Sequence, residues 1–123
     1  MKYVRYLHNN VISYGINEND KIIEIEGSIF STYKLTGLTV NLAEVKVIAP
    51  VIPSKIISLG YNYKDLVGYQ KNYNEPIIFL KPNSSVIGCS DYIEISEKLR
   101  TWTEVELAIV IGKNAKKISS QKA

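Results

Sequence analysis

The sequence predicts a mostly β protein of the α+β class, and two observations lead to this prediction. Short segments rich in β-branched residues recur along the chain, and residues that favour turns separate them. Hydrophobic residues make up 46% of the 123 residues and charged residues 22%, which is typical of a globular protein and not of a disordered one.

Residues 1–52 are predicted to form a small strand-rich N-terminal domain. His8-Asn9-Asn10 is a turn-prone tripeptide that joins the first two strands. The stretch 27–37 has a mixed pattern with one possible short helix. Three strands and one extended segment are predicted in this domain: 3–7, 11–15, 21–25 and 44–48.

Residues 53–123 are predicted to form the first part of a second domain. Pro50 and Pro53 restrict the direction of the chain between the two parts, so we place the boundary there. Asn62 can cap a short helix over 62–71, and 118–122 resembles the approach to another. A turn is predicted over 83–85, and four strands are predicted in this part: 55–61, 76–82, 92–95 and 103–112.

The predicted strand 103–112 carries the strongest functional signal. Because side chains alternate along a strand, Glu104 and Glu106 would share one face, opposite a wholly apolar one. Two carboxylates one pleat repeat apart can converge on a hard cation such as Mg²⁺ or Mn²⁺. The alternative is a solvated strand face that happens to carry two glutamates.

Charge and composition limit the classes of partner that the protein can have and indicate its cellular compartment. The net charge is +3, and the lysines are dispersed and do not form a basic stripe, so we expect no nucleic-acid partner. Cys89 is the only cysteine, which excludes an internal disulfide and fits a reducing compartment. We find neither a signal peptide nor a membrane span, and therefore expect a cytoplasmic protein with no membrane partner.

Five blocks, in this order, resemble the fumarylacetoacetate hydrolase family, and the lead-in looks like the N-terminal domain of its bacterial and archaeal members. The resemblance implies a rolled mixed β-sheet and a homodimer. It also implies that the fold is incomplete at the C-terminus, since the family's remaining strands would lie beyond Ala123. The blocks are APVIPSKII (49–57), GYNYKD (60–65), PIIFLKP (76–82), SSVIG (84–88) and EVELAIVIGK (104–113).

By this resemblance, Glu104 and Glu106 are two of the family's three metal carboxylates. The third is an aspartate expected downstream of Ala123, so the chain is either a piece of a longer protein or a truncated one. Asp65 is a further candidate ligand, because an aspartate at this place reaches the metal in some relatives. Its alternative role is a helix N-terminal carboxylate that interacts with the local dipole.

The resemblance also assigns positions near the substrate. Lys81 and Ser84 would bind substrate, with a surface lysine and a turn serine as the alternatives. Many relatives carry a histidine and a glutamate on a mobile lid, where the pair activates water. This chain has Leu66 and Tyr69 at those positions, so its catalytic groups are unknown.

The family's shared chemistry implies a metal-dependent enzyme that acts on α-keto or enol (di)acids through enolate stabilisation. Loss of the lid pair favours an isomerase, a tautomerase or a decarboxylase over a carbon–carbon hydrolase of the acylpyruvase type, because hydrolysis needs an activated water. Two alternatives stay open. One is a truncated or non-catalytic relative that serves as a scaffold or supplies part of a site, and the other is a plain β domain.

Overall fold

The computed structural model describes residues 1–63 and 75–121 and is mostly β, as predicted. Two short 3₁₀ turns interrupt the strands at Leu42–Glu44 and Asn83–Ser85. No helix in the two described stretches has the length and apolar character needed to cross a membrane. The strands are β1 (Tyr3–His8), β2 (Val11–Glu18), β3 (Lys21–Gly27), β4 (Tyr33–Asn41), β5 (Lys46–Ile48), β6 (Ile56–Gly60) and β7 (Ile77–Lys81).

The N-terminal strands form one antiparallel sheet with the order β4-β3-β2-β1-β5. Two-residue turns with positive φ close its first two hairpins: Asn9 and Asn10 at 48° and 62°, then Asn19 and Asp20 at 52° and 64°. Asn and Asp tolerate this left-handed conformation, and such turns match the twist of the flanking strands. The local sequence therefore fixes the register of β1, β2 and β3.

The sheet curls strongly, as a contact between non-neighbouring strands shows. Tyr3 on β1 and Tyr33 on β4 share a hydroxyl hydrogen bond of 2.8 Å, and their rings meet edge to face at 5.8 Å between centroids. A flat sheet would separate these two strands by about 14 Å, three times the usual strand spacing. The most buried apolar residues lie on both faces of the sheet: Tyr6 and Ile22 on one face, and Ile16 and Ile25 on the other.

The second sheet contains only β6 and β7, which pair in antiparallel fashion from Ile56 opposite Lys81 to Gly60 opposite Ile77. Ser58 is its one buried residue within the described part of the chain, and Ile57 and Leu80 are 61% and 70% exposed. Two strands cannot enclose a core by themselves, so both faces of this sheet stay largely open.

The chain after β7 packs back on the N-terminal sheet. Lys46 on β5 forms an ion pair with Asp91 at 2.6 Å, and the backbone N–H of Gly88 donates to the other carboxylate oxygen of Asp91 at 2.8 Å. The Lys46 ammonium, and then the Gly88 N–H, hold the pKa of Asp91 below its usual value. A Cβ at Gly88 would lie only 3.0 Å from the Ile48 Cα, so glycine permits this close approach.

Several predicted elements differ in the structure. Instead of a short helix, 27–37 contains a turn followed by the start of β4. The predicted strands 92–95 and 103–112 are not formed, because neither stretch pairs with another described segment. Most of the predicted helix 62–71 lies outside the described residues.

Candidate metal site

Glu104 and Glu106 lie on a segment that makes no strand pairing with the described residues. The strand predicted here would have buried an apolar face, but a strand exists only where a neighbour supplies backbone hydrogen bonds. Without such a neighbour, both glutamates and the apolar residues between and after them are exposed. Val105, Leu107, Ile109 and Ile111 are 98%, 83%, 79% and 77% exposed.

Glu104 has a neighbouring hydrogen-bond donor in Trp102. The indole Nε1–H donates to Glu104 Oε1 at 3.3 Å, which is at the long end for a hydrogen bond. Trp102 is 70% exposed and does not serve as a packing residue, which is the role its aromatic character suggests. The indole instead biases the orientation of this carboxylate.

Leu107, the residue after Glu106, forms a hydrogen bond with a part of the chain that is distant in sequence. The backbone N–H of Leu107 donates to the hydroxyl of Tyr63 at 2.9 Å. Tyr63 lies just after β6, so this bond connects the carboxylate segment to the end of the second sheet. No local pattern predicts the bond, because its partners are 44 residues apart in sequence.

The donor chemistry of the pair fits a hard divalent cation, since carboxylate oxygens are the ligands that Mg²⁺ and Mn²⁺ prefer. The described stretches, 1–63 and 75–121, bring no third acidic, histidine or cysteine side chain into a group that could hold a metal ion. Two carboxylates alone would fill only part of the coordination shell of such an ion. Asp65, the further candidate ligand, lies outside the described residues.

The two candidate substrate residues lie at the end of β7. Lys81 is its last residue and is exposed, with Nζ 5.9 Å from the centre of the Phe79 ring. Ser84 lies in the 3₁₀ turn that follows, and Ser85 secures this turn through a 2.7 Å hydrogen bond from its hydroxyl to the Pro82 carbonyl. Leu66 and Tyr69 lie outside the described residues, so their roles stay predictions.

A second group of polar side chains lies on the N-terminal sheet. The Tyr6 hydroxyl donates to Glu24 Oε2 at 3.1 Å, and both residues line a shallow cavity of about 220 Å³ together with His8. Burial, and then the bond to Glu24, raises the pKa of Tyr6. His8 was expected in a surface turn, but it is the last residue of β1 and is half-buried.

Two family models match the chain on either side of residues 51–54. Residues 1–50 match the model described as "Rv2993c-like, N-terminal", and residues 55–123 match "Fumarylacetoacetate (FAA) hydrolase C-terminal". The second match covers more than half of the chain and contains the candidate metal segment.

Individual relatives agree with these matches. Protein Rv2993c of Mycobacterium tuberculosis is 36% identical over 103 residues, which cover 81% of this chain and 39% of the relative. The mitochondrial oxaloacetate tautomerase fahd2 of Xenopus laevis is 42% identical over 87 residues, which cover 66% of this chain and 27% of the relative. The chain thus spans well under half of the length of either relative.

A solved structure extends the likeness to the fold. The 5-carboxymethyl-2-hydroxymuconate delta-isomerase of Mycobacterium smegmatis superposes with a TM-score of 0.58 at 30% sequence identity. The superposition covers 71% of this chain and 35% of the isomerase. The tautomerase and the isomerase are enzymes, and by its sequence and its fold the present chain belongs to the fumarylacetoacetate hydrolase family.

Proposed function

We propose that the protein is a divalent-metal-dependent enzyme that acts on α-keto or enol (di)acids, as an isomerase or tautomerase in the first place and a decarboxylase in the second. The 42% identity to an oxaloacetate tautomerase is the observation that carries the proposal, and the likeness to a hydroxymuconate isomerase supports it. Carbon–carbon hydrolysis is the less favoured reaction.

The two named reactions share their chemistry. A keto–enol tautomerisation and a double-bond shift in a hydroxymuconate both move a proton to or from a carbon conjugated with an oxygen. The negative charge that develops on that oxygen is what an active site must stabilise. Enzymes of this family generally depend on a divalent metal ion, which acts as a Lewis acid on such an oxygen.

Glu104 and Glu106 are the residues that we propose hold this ion, with Asp65 as a further candidate. Their carboxylates provide hard oxygen donors, and both are exposed where the structure describes them. Lys81 would attract a substrate carboxylate from the end of β7, and Ser84 would contact the substrate from the turn that follows. Each of these roles rests on the family resemblance.

The residues at the lid positions favour proton transfer over hydrolysis. Hydrolysis needs a group that removes a proton from water near neutral pH. Leu66 has no titratable group, and Tyr69 carries a phenol in place of the glutamate of the relatives' lid pair. Isomerisation and decarboxylation require mainly the charge stabilisation.

Mn²⁺ binding tests the metal site. Trp102 is the single tryptophan and bonds Glu104, so we expect its fluorescence to change as Mn²⁺ is added. Glu104→Gln and Glu106→Gln should each weaken Mn²⁺ binding about tenfold or more, since a charged oxygen ligand is lost. Glu97→Gln, on the same exposed stretch, is the matched control and should leave the affinity unchanged.

Substrate binding tests the rest of the proposal. Oxalate, a mimic of the keto-acid group, should bind with Mg²⁺ present and only weakly without it. The protein should also speed the loss of the ultraviolet absorbance of enol oxaloacetate. Equal oxalate binding with and without metal would contradict the proposed mechanism.

A second candidate function is a non-catalytic relative that acts as a scaffold or supplies part of a site to another subunit. The observation in its favour is that residues 1–63 and 75–121 group no third metal-binding side chain with the glutamates. A folded protein that binds neither Mn²⁺ nor oxalate would support this alternative.

The main proposal, that of a metal-dependent enzyme, also includes a homodimer that lies in the cytoplasm.

A further inference from the structure

We propose that Tyr63 is a positioning residue for the pair Glu104 and Glu106. The inference rests on the proposed function, because it assigns Tyr63 a role in holding the metal-binding carboxylates. In the sequence, Tyr63 belongs to the block GYNYKD (60–65), but nothing there points to a contact with Glu104 or Glu106. The structure does so, through the contact between its hydroxyl and the backbone directly after Glu106.

The hydrogen bond acts on the backbone that orients Glu106. The N–H of Leu107 belongs to the same planar peptide unit as the carbonyl of Glu106. When the Tyr63 hydroxyl holds this N–H at 2.9 Å, it restrains rotation of that unit. It thereby restrains the direction in which the Glu106 side chain leaves the backbone.

The bond matters more here because the segment lacks strand pairing. In a sheet, the Leu107 N–H would donate to a neighbouring strand, but the structure shows no such pairing for 103–112 within its described residues. A phenol hydroxyl accepts this N–H from the side of β6. The Leu107 N–H follows directly after a candidate ligand and has no strand partner among the described residues. The Tyr63 hydroxyl accepts its hydrogen bond instead.

The position of Tyr63 in sequence adds to its effect. It lies two residues before Asp65, the further candidate ligand, and three residues after the end of β6. The bond between Tyr63 and Leu107 therefore joins the segment directly after β6 to the segment that carries Glu104 and Glu106.

Tyr63→Phe tests the proposal, because it removes the hydroxyl and keeps the ring. We expect Mn²⁺ affinity, measured from the electron paramagnetic resonance signal of free Mn²⁺, to fall by about three- to tenfold, the range that follows from losing one such hydrogen bond. Tyr92→Phe is the matched control, since Tyr92 is 93% exposed, and it should leave the affinity unchanged. Both variants should keep the unfolding midpoint of the wild type.

Amide exchange provides a readout that does not depend on metal. Nuclear magnetic resonance without Mn²⁺ measures the hydrogen-exchange rate of the Leu107 amide. This rate should be higher in Tyr63→Phe than in the wild type, and Tyr92→Phe should have the wild-type rate. If the wild type binds Mn²⁺ and Tyr63→Phe binds it equally well, the role of Tyr63 is overturned and the metal site stands. If the wild type does not bind Mn²⁺, the proposed metal site is overturned, and the role of Tyr63 with it.

Discussion

At the scale of single residues, Tyr6 combines a buried ring with a hydrogen-bonded hydroxyl. Tyr6 is only 2% exposed, and its hydroxyl reaches over the intervening strand β2 to donate to Glu24 Oε2 on β3. Burying a tyrosine is favourable only where its hydroxyl keeps a partner. Glu24 is that partner, so a charged residue on β3 contributes to the core of the sheet.

Tyr6→Phe should therefore lower the free energy of unfolding by about 1–2 kcal/mol, because a half-buried carboxylate loses its donor. Urea denaturation with the linear extrapolation measures this change. Tyr92→Phe removes a hydroxyl from an exposed ring and should change stability by less than about 0.5 kcal/mol. Equal stability of the two variants would show that the bond to Glu24 contributes nothing.

The raised pKa of Tyr6 predicts how stability changes at high pH. Burial and the bond to Glu24 raise the pKa above its ordinary value of 10.0, so the unfolded chain releases the phenol proton first as the pH rises. Between the two pKa values the folded state binds more protons, and its stability must fall as the pH increases. Urea unfolding between pH 8 and about 11 should show this fall, and Tyr6→Phe should reduce its slope.

At the scale of elements, the first two hairpins are the part of the fold that the sequence predicts best. The strands β1, β2 and β3 are rich in β-branched and aromatic residues, and the two turns contain residues that tolerate positive φ. Both signals are local, so neither depends on the rest of the molecule. The predicted strands were confirmed, although each extends one to three residues beyond its predicted end.

Gly15 on β2 tests how closely β2 and β3 pack. A Cβ there would lie 2.3 Å from Cγ2 of the fully buried Ile22 and 2.8 Å from the carbonyl oxygen of Ile23. Because the backbone must move to relieve the second contact, Gly15→Ala should lower the free energy of unfolding by about 1–3 kcal/mol. Thermal unfolding followed by circular dichroism measures the loss.

Gly60→Ala is the control for this prediction. Its new Cβ would come closest to the Ile77 side chain, at 3.3 Å, and would lie at an ordinary 3.9 Å from the Ile77 carbonyl oxygen. The destabilisation should therefore be smaller than for Gly15→Ala. The reverse order would show that β2 and β3 can separate more easily than their register suggests.

Other elements depend on contacts that the sequence does not reveal. The stretch 27–37 has no clear period, and the start of β4 forms there because β3 offers an edge with the matching register. The stretch 103–112 has the clearest strand pattern in the chain, yet it forms no strand pairing with residues 1–63 or 75–121. A sequence pattern indicates which residues can form a strand, whereas pairing decides whether they do.

At the scale of the whole molecule, the two parts of the chain differ in how much apolar surface they enclose. The N-terminal sheet buries apolar residues on both of its faces, whereas the large apolar residues of 103–112 are all at least half exposed. Contiguous apolar surface of this kind promotes association. We therefore expect the 123-residue chain to bind a hydrophobic dye and to self-associate at high concentration.

Charged substitutions test this expectation. Ile109→Lys combined with Ile111→Lys should reduce both dye fluorescence and light scattering. Val11→Lys combined with Ile12→Lys makes the same change of charge at two exposed positions on the N-terminal sheet and is the control. If both pairs reduce association equally, net charge and not the apolar segment governs it.

The candidate site is the part that sequence reasoning predicts least completely. Glu104 and Glu106 could be named from their spacing and from the family resemblance, and their metal-binding role stays a prediction. The bonds from Trp102 and Leu107 could not be predicted, since each depends on how a side chain or a distant residue is placed in space. Local patterns identify candidate ligands, and tertiary contacts decide their arrangement.

The position of β5 has a consequence for the order of folding during synthesis. Strands β1, β2 and β3 each pair with the strand that follows in sequence, so each hairpin can close soon after it leaves the ribosome. The outer edge of β1 stays open until Lys46–Ile48 is made, because β5 is the one described strand that occupies it. Asp91 binds Lys46 on that same strand, so the later half of the chain can dock there only after the nascent sheet has been completed.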